Sequence, residues 1–358
     1  MRLRVIDFGL VPGLRSQAVY HGLAETLGPD SDPILSLASP ATPYVCVGMH
    51  QDIEKEVDTA FCAAHGLPVW RRQVGGGAVY LDHNQLFTHF IYPEAKAPSR
   101  ADQLYPMFIE PVVRTYREMG INAVWRPVND IQVDGRKIGG TGAASIGQAT
   151  VMVGSFLLDF DTATMAKCLK VPSEKFRDKL RQTLDDYMTT MVKELGHLPD
   201  RADLKARFLR HCADALGVQP VADQPTRAEW VAIEQAEAML SDPEWTDVQH
   251  RKTVALGVKI AADTHLTEAA RKAPGGLVRV NLLAREGRVA DLLISGDFTC
   301  LPPDGVDRLC DSLKGVALDE AALTAAATAA IARLGLDLPG VAAADLAATI
   351  LAAAEGAP

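Results

Sequence analysis

Residues 69–82 read Val69-Trp70-Arg71-Arg72-Gln73-Val74-Gly75-Gly76-Gly77-Ala78-Val79-Tyr80-Leu81-Asp82, and residues 129–142 read Asn129-Asp130-Ile131-Gln132-Val133-Asp134-Gly135-Arg136-Lys137-Ile138-Gly139-Gly140-Thr141-Gly142. In the first, β-branched and aromatic residues flank a glycine triplet, which predicts strand, glycine loop, strand. In the second, Asp134-Gly135 separates Ile131-Gln132-Val133 from Arg136-Lys137-Ile138. That spacing predicts a two-residue hairpin, because glycine tolerates the positive φ such turns require. Lys137 then sits just past a tight turn, and a second glycine-rich stretch follows it.

Both segments place basic residues beside glycines. Glycines let backbone N–H groups approach an anion closely, and Arg or Lys supplies the balancing charge, so together they point to a phosphate or nucleotide site. A glycine triplet also serves as a bulge or tight turn against another strand, and a hairpin lysine is often only solvated. Lys137 precedes its glycines, so the segment is not G-x-x-x-x-G-K-[ST], and neither segment is G-x-G-x-x-G.

Outward from these segments the chain mixes the two periodicities. Strands are expected at residues 3–8, 44–47, 122–126 and 151–158, and helices at 16–27 and 101–119. Residues 160–240 are mostly helical in pattern, and the polar stretch 242–253 is a candidate linker and hinge. Beyond it, residues 277–283 and 289–294 predict a hairpin turning at Gly287, and Pro302-Pro303-Asp304 opens a helix. The alanine-rich end, in which Leu and Ile recur, predicts closely packed helices.

The 358 residues suit two domains at about 150 residues each. A hydrophobic content of 48% supports a buried core, and a formal net charge of −9 argues against non-specific binding to nucleic acid or anionic lipid. The six cysteines contain no C-x-x-C pair and are expected to be reduced and buried. With neither a signal-peptide pattern nor a run of about 18 apolar residues, the expected location is cytoplasmic, with no membrane partner.

Residues 71–82 resemble the R-R-x-[ST]-G-G-G-A-V-x-H-D signature of lipoate-protein ligases, and Asn129-Asp130 with residues 135–140 is similar to that family's N-D…G-x-K-[IV]-[SAG]-G element. Val47-Gly48 with Gln51 is similar to its [IV]-G-x-x-Q strand end. Ala273-Pro274-Gly275-Gly276-Leu277 and Gly296-Asp297-Phe298 resemble elements of the accessory domain, here fused. The resemblance implies an α+β fold of the biotin/lipoate-ligase, class II synthetase-like kind. A mixed-sheet catalytic domain would span residues 1–245, a linker 246–263 and a small α+β accessory domain 264–358.

It further implies a two-step reaction in which lipoate and ATP give lipoyl-adenylate, which a carrier-protein lysine then attacks. Lys137 would be catalytic. Arg71, Arg72, Gly75, Gly76, Gly77, Ala78, Asn129, Asp130, Gly140 and Thr141 would bind ATP or the adenylate, with Asp130 a ligand for the Mg²⁺ of Mg·ATP. The implied partner is a lipoyl domain, a glycine-cleavage H protein or a lipoate-binding protein of sulfur oxidation. The family's histidines before Asp82 and in H-G-[ST]-[LI]-L are Leu81 and Val153 here, with His83 a possible substitute for the first. Residues 125–130 lack the cysteine of the thioester-forming octanoyl transferases, and the G-R-G-R-x-G loop of biotin ligases is missing. A non-catalytic carrier- or nucleotide-binding protein and an octanoyl or lipoyl transferase remain the alternatives.

Overall fold

The computed structural model describes residues 1–258 and 266–355. In chain order the strands are β1 (Arg2–Val11), β2 (Ile34–Pro40), β3 (Tyr44–Val47), β4 (Val69–Arg71), β5 (Val79–Leu81), β6 (Gln85–Pro93), β7 (Val124–Arg126), β8 (Asp130–Val133), β9 (Arg136–Ile146), β10 (Ala149–Leu157), β11 (Gln219–Ala222), β12 (Leu266–Ala273), β13 (Gly276–Arg285) and β14 (Arg288–Gly296). Eight form one mixed sheet in the order β11-β1-β2-β6-β10-β9-β8-β7. A second sheet runs β4-β3-β5, and a third, β12-β13-β14, belongs to the C-terminal unit.

Helices cover both faces of the large sheet. Ala101–Glu118 and Arg201–Leu216 close one face over Phe90, Phe108, Phe156 and Phe208, with the Phe156 and Phe208 rings 5.1 Å apart. Gly13–Glu25 and Arg227–Ser241 close the other over Ile6, Tyr20, Ile91 and Val151. Those two helices touch at Gly22, where a Cβ would lie 2.4 Å from Ile233 N. The C-terminal sheet and the helices Gly305–Leu313, Glu320–Leu334 and Ala343–Glu355 enclose a separate core. The alanines pack inward at Ala327, Ala330, Ala347 and Ala353.

The expected α+β architecture and both hairpins are present. Asp134 and Gly135 have φ of 49° and 80°, and Glu286 and Gly287 have 52° and 70°, the paired positive values of a turn matched to strand twist. The expected strand, glycine loop and strand are present as well. Strands β4 and β5 flank the glycine loop, but each pairs with β3 and not with the other. The second glycine-rich stretch, Gly139-Gly140-Thr141-Gly142, lies inside β9. The stretch taken as a linker is helical at Pro243–Thr246 and Val248–Val258, started by Asp242, whose side chain accepts from Glu244 N, and by Pro243 at the first helical position. The rest of that linker, from residue 259, lies outside the described residues.

Candidate active site

Lys137 enters the site through a bulge. Strands β8 and β9 pair Asp130 with Gly140 and Ile131 with Gly139, then shift so that Gln132 faces Lys137. Lys137 Nζ lies 2.7 Å from Asp130 Oδ1 and rests over Gly140, where a Cβ would be 3.2 Å from Nζ. Both ends of the pair are largely shielded, with the Lys137 side chain 28% and that of Asp130 20% exposed. Asn129 and Thr141 staple the strands beside them: Thr141 N and Oγ1 donate to Asn129 O at 2.9 and 3.0 Å, and Asn129 Nδ2 donates to Thr141 O at 3.1 Å.

The glycine loop folds around Arg72. Arg72 Nη2 donates to Gly75 O and Gly77 O, both at 2.9 Å, and Nη1 to Cys46 O at 3.2 Å. Gly76 takes φ 95°, and its carbonyl presses on Gly48, where a Cβ would be 1.9 Å away. Beneath the loop lies Gly142, where a Cβ would meet Val74 Cγ1 at 2.6 Å. Residues two apart on a strand face the same way, so Gly140 under Lys137 and Gly142 under Val74-Gly75 share one face of β9. The two segments therefore converge on one face of β9, with Val74 seated on Gly142 and Lys137 on Gly140.

Two of the expected binding residues already have partners within the fold. Arg71 is fully buried. Its Nη1 donates to Gly48 O and Met49 O at 2.8 and 3.1 Å, its Nη2 to Thr246 O at 2.7 Å, and its Nε to Thr246 O and Trp245 O at 3.1 and 3.3 Å. Every guanidinium nitrogen is committed to carbonyls, and burial pulls its pKa down to about 10 against the opposing charge of Asp52. Arg71 is a buried strap that positions the glycine loop. Asp130 gives Oδ1 to Lys137 and Oδ2 to the Tyr187 hydroxyl at 2.9 Å, and among the described residues no group of three His, Cys, Asp or Glu stands close enough to hold a metal. A Mg²⁺ needs carboxylate oxygen free for it. A Mg²⁺ on Asp130 would have to displace Lys137 or Tyr187 from one of its oxygens.

A profile of the Lipoyl protein ligase A/B catalytic domain matches residues 13–213. The chain belongs to the lipoate-protein ligase family. A second profile, Bacterial lipoate protein ligase C-terminus, matches residues 265–349. Among curated relatives of this ligase-family chain, Lipoate-protein ligase LplJ of Bacillus subtilis is 26% identical over 258 residues, 72% of this chain and 73% of the relative. Octanoyltransferase LipM of Kyrpidia tusciae is 27% identical over 241 residues, 60% and 86% of the two chains. Two solved structures share the fold. The bipartite lipoate protein ligase of Thermoplasma acidophilum, studied with its E2 lipoyl domain, has a TM-score of 0.62 at 24% identity, over 69% of this chain and 96% of that one. A lipoate-protein ligase A bound with ATP has a TM-score of 0.60 at 22% identity, over 70% and 100%.

Against the family pattern, His83 is exposed, and Val153 pairs across the sheet with His89. An imidazole thus returns to that level of the sheet from the neighbouring strand, a placement that only strand register reveals. His89 shares a 2.7 Å hydrogen bond with Ser36 Oγ and lies 4.8 Å from the Tyr20 ring, whose other contact is a stacked His21 at 4.1 Å. His21 Nε2 accepts from Gln73 N at 3.2 Å, which anchors the glycine loop to the helix Gly13–Glu25. Burial lowers the pKa of His21 to about 4 and of His89 to about 3, so both rings are neutral. Sequence reasoning also missed Tyr187, which has no motif around it. The C-terminal unit reaches the loop as well: Gly76 N donates to Phe298 O at 3.4 Å, and Phe298 stacks on His50 at 5.1 Å.

All six cysteines are buried, as expected, and unpaired. Burial raises the thiol pKa at Cys46, Cys212, Cys300 and Cys310, the last two to about 12. Cys62 is the exception, lowered by a hydrogen bond from Cys168, and it is packed with Val45, Tyr80 and Met165. No helix among the described residues is long and apolar enough to cross a membrane.

Proposed function

We propose that this chain is an ATP-dependent lipoate-protein ligase that forms lipoyl-adenylate and passes the lipoyl group to a lysine of a carrier protein. The observation that carries the reading is Lys137 seated over Gly140 on the strand face that also meets the glycine loop, with no accessible thiol to hold an acyl group. An acyl transferase of the cysteine type needs a thiolate nucleophile. Where none is exposed, the acyl group must be activated in another form, and an adenylate serves.

In the first step a lipoate carboxylate oxygen attacks the α-phosphorus. The new O–P bond forms as the bond to pyrophosphate breaks, and pyrophosphate leaves with the electron pair. Negative charge gathers on the transferred phosphoryl group, and Lys137 reaches it by exchanging part of its contact with Asp130. In the second step the carrier's ε-amine attacks the acyl carbon, the C–O bond to AMP breaks, and the amine's proton leaves with the products. Lys137 is placed to offset charge on the acyl oxygen in that step also. Gly75–Gly77 hold the adenylate, Arg72 shapes their loop from beneath, and Ala78 leaves room for the acyl chain. Asn129 and Thr141 fix the strand edge on which the adenylate would rest. The carrier presents its lysine at a hairpin tip, as a lipoyl domain, a glycine-cleavage H protein or a lipoate-binding protein of sulfur oxidation would.

Intact-mass spectrometry of these apo-carriers with the protein, lipoate and Mg·ATP tests the reading. The expected result is an ATP-dependent lipoyl mass shift that is lost in Lys137→Ala. Acyl transfer from an octanoyl-carrier donor without ATP would overturn it in favour of a transferase. Adenine nucleotide binding with no lipoate-dependent pyrophosphate release would leave a binding protein.

A further inference from the structure

We propose that Tyr187 is a positioning residue for Lys137, acting through the carboxylate of Asp130. The inference rests on the ligase reading for its consequence and on geometry alone for its placement. Tyr187 ends the helix Glu174–Tyr187, which buries none of its side chains. Such a helix needs anchoring at both ends. At its start Arg177 Nη1 donates to Ala166 O, Lys167 O and Leu169 O at 3.0, 2.9 and 3.2 Å, while Nη2 reaches Asp58 Oδ2 at 3.1 Å. At its end Met188 forms a bridge with Lys137, and Thr189 N donates to Lys137 O at 2.9 Å. The backbone on which Lys137 is mounted is therefore the same backbone that holds the end of this helix.

The side chains repeat the connection. The Tyr187 hydroxyl donates to Asp130 Oδ2, which leaves Oδ1 facing Lys137 Nζ. A carboxylate held through one oxygen cannot turn freely about its Cβ–Cγ bond. Without that hydroxyl it can rotate, and the contact that holds Lys137 over Gly140 loosens. Gln132 also hydrogen-bonds the phenol, and the charge of Arg126 acts on it. Tyr187 is 41% exposed, so it stands at the surface and not in the core. Because Lys137 acts on charge that develops in the transition state, misplacing it lowers kcat more than it raises KM.

The test compares Tyr187→Phe, which keeps the ring and loses the hydroxyl, with Asp130→Asn and the double variant. Tyr187→Phe is expected to lower kcat for lipoate-dependent pyrophosphate release about tenfold, the scale of one hydrogen bond to a charged group, with KM for lipoate and ATP changed by less than about twofold. In the Asp130→Asn background the same change should cost nothing further. A wild-type rate in Tyr187→Phe, a loss confined to KM, or a full tenfold loss repeated on top of Asp130→Asn would each overturn the proposal. A second readout needs no catalysis: mass-spectrometric labelling of Lys137 by an amine-reactive ester, scaled to the exposed Lys167. Both single variants should label Lys137 at least about twice as fast as wild type, since each loosens the contact that shields it. Unchanged labelling overturns the positioning role. Faster labelling in a protein that shows no lipoate-dependent activity upholds it while removing the ligase reading.

Discussion

Arg71 and Arg72 are neighbours in the chain, and alternation along a strand sends their guanidinium groups to different places. Arg72 wraps the glycine loop, whereas Arg71 reaches the carbonyls of Trp245 and Thr246, 174 and 175 residues away in sequence. Arg71→Lys keeps the charge but cannot serve four carbonyls in one plane. It is expected to cost about 3 kcal/mol, the scale for breaking a buried charged network, and to appear as a melting temperature lower by several degrees. At Gly48 the effect is steric. A Cβ there would lie 1.9 Å from Gly76 O, so Gly48→Ala must displace the loop from its seat on β9. Lipoate-dependent pyrophosphate release should fall about 100-fold or more, the scale for misplacing a binding group by an ångström, with the far-ultraviolet circular dichroism unchanged. The glycines and Lys137 were legible in the sequence because their chemistry is local. The commitment of Arg71 was not, because its acceptors are main-chain carbonyls that any residue could supply.

At the scale of elements, turn chemistry carried the most information. Asp134-Gly135 and Glu286-Gly287 each specify a two-residue turn, and both hairpins form where they stand. Gly135→Ala places a Cβ at φ 80° and is expected to cost about 1–2 kcal/mol, read as a lower denaturant midpoint. Since Lys137 follows two residues later, activity should fall by more than stability alone explains. The misread stretch after Asp242 had its own signal, since Asp242 is the cap and Pro243 the first helical residue, but its polar, charged face hid the periodicity. The short strand β11 was missed for a different reason. Proline at Pro220 argues against a strand, and β11 forms only because it lies at the sheet's edge, paired in parallel with β1. The small sheet β4-β3-β5 was half read: its strands were visible, but their common partner β3 comes from a segment more than 20 residues upstream.

For the molecule as a whole, the C-terminal unit is held to the catalytic side by contacts no local pattern announces. Gly296 N donates to His50 O at 2.9 Å, Ala101 N to Asp337 Oδ2 at 2.7 Å, and Arg279 pairs with Glu56 at 2.8 Å. His50 sits in that seam, fully buried against Phe298, and burial and the nearby Arg71 lower its pKa to about 3. With His21 and His89 it makes three imidazoles that stay neutral in the folded chain well below their ordinary value of 6.5. The unfolded chain takes up protons as pH falls through 6.5 and the folded chain does not, so the stability present above pH 6.5 is lost progressively as the solution approaches the folded values of about 4 and 3. Each ring should contribute on the order of 1–2 kcal/mol of destabilisation by pH 5. Carboxylates held low by partners, such as Glu229 beside Arg4, act in the same direction but only below their own ordinary value of 4.5, which leaves the window from pH 6.5 to 5 to the histidines. Urea unfolding at pH 7, 6 and 5 should therefore show a midpoint that falls steadily across that window. A midpoint that stays flat between pH 7 and 5 would mean that these rings carry protons in the folded protein, and with that the buried seam between the glycine loop and the C-terminal unit would have to be open to water.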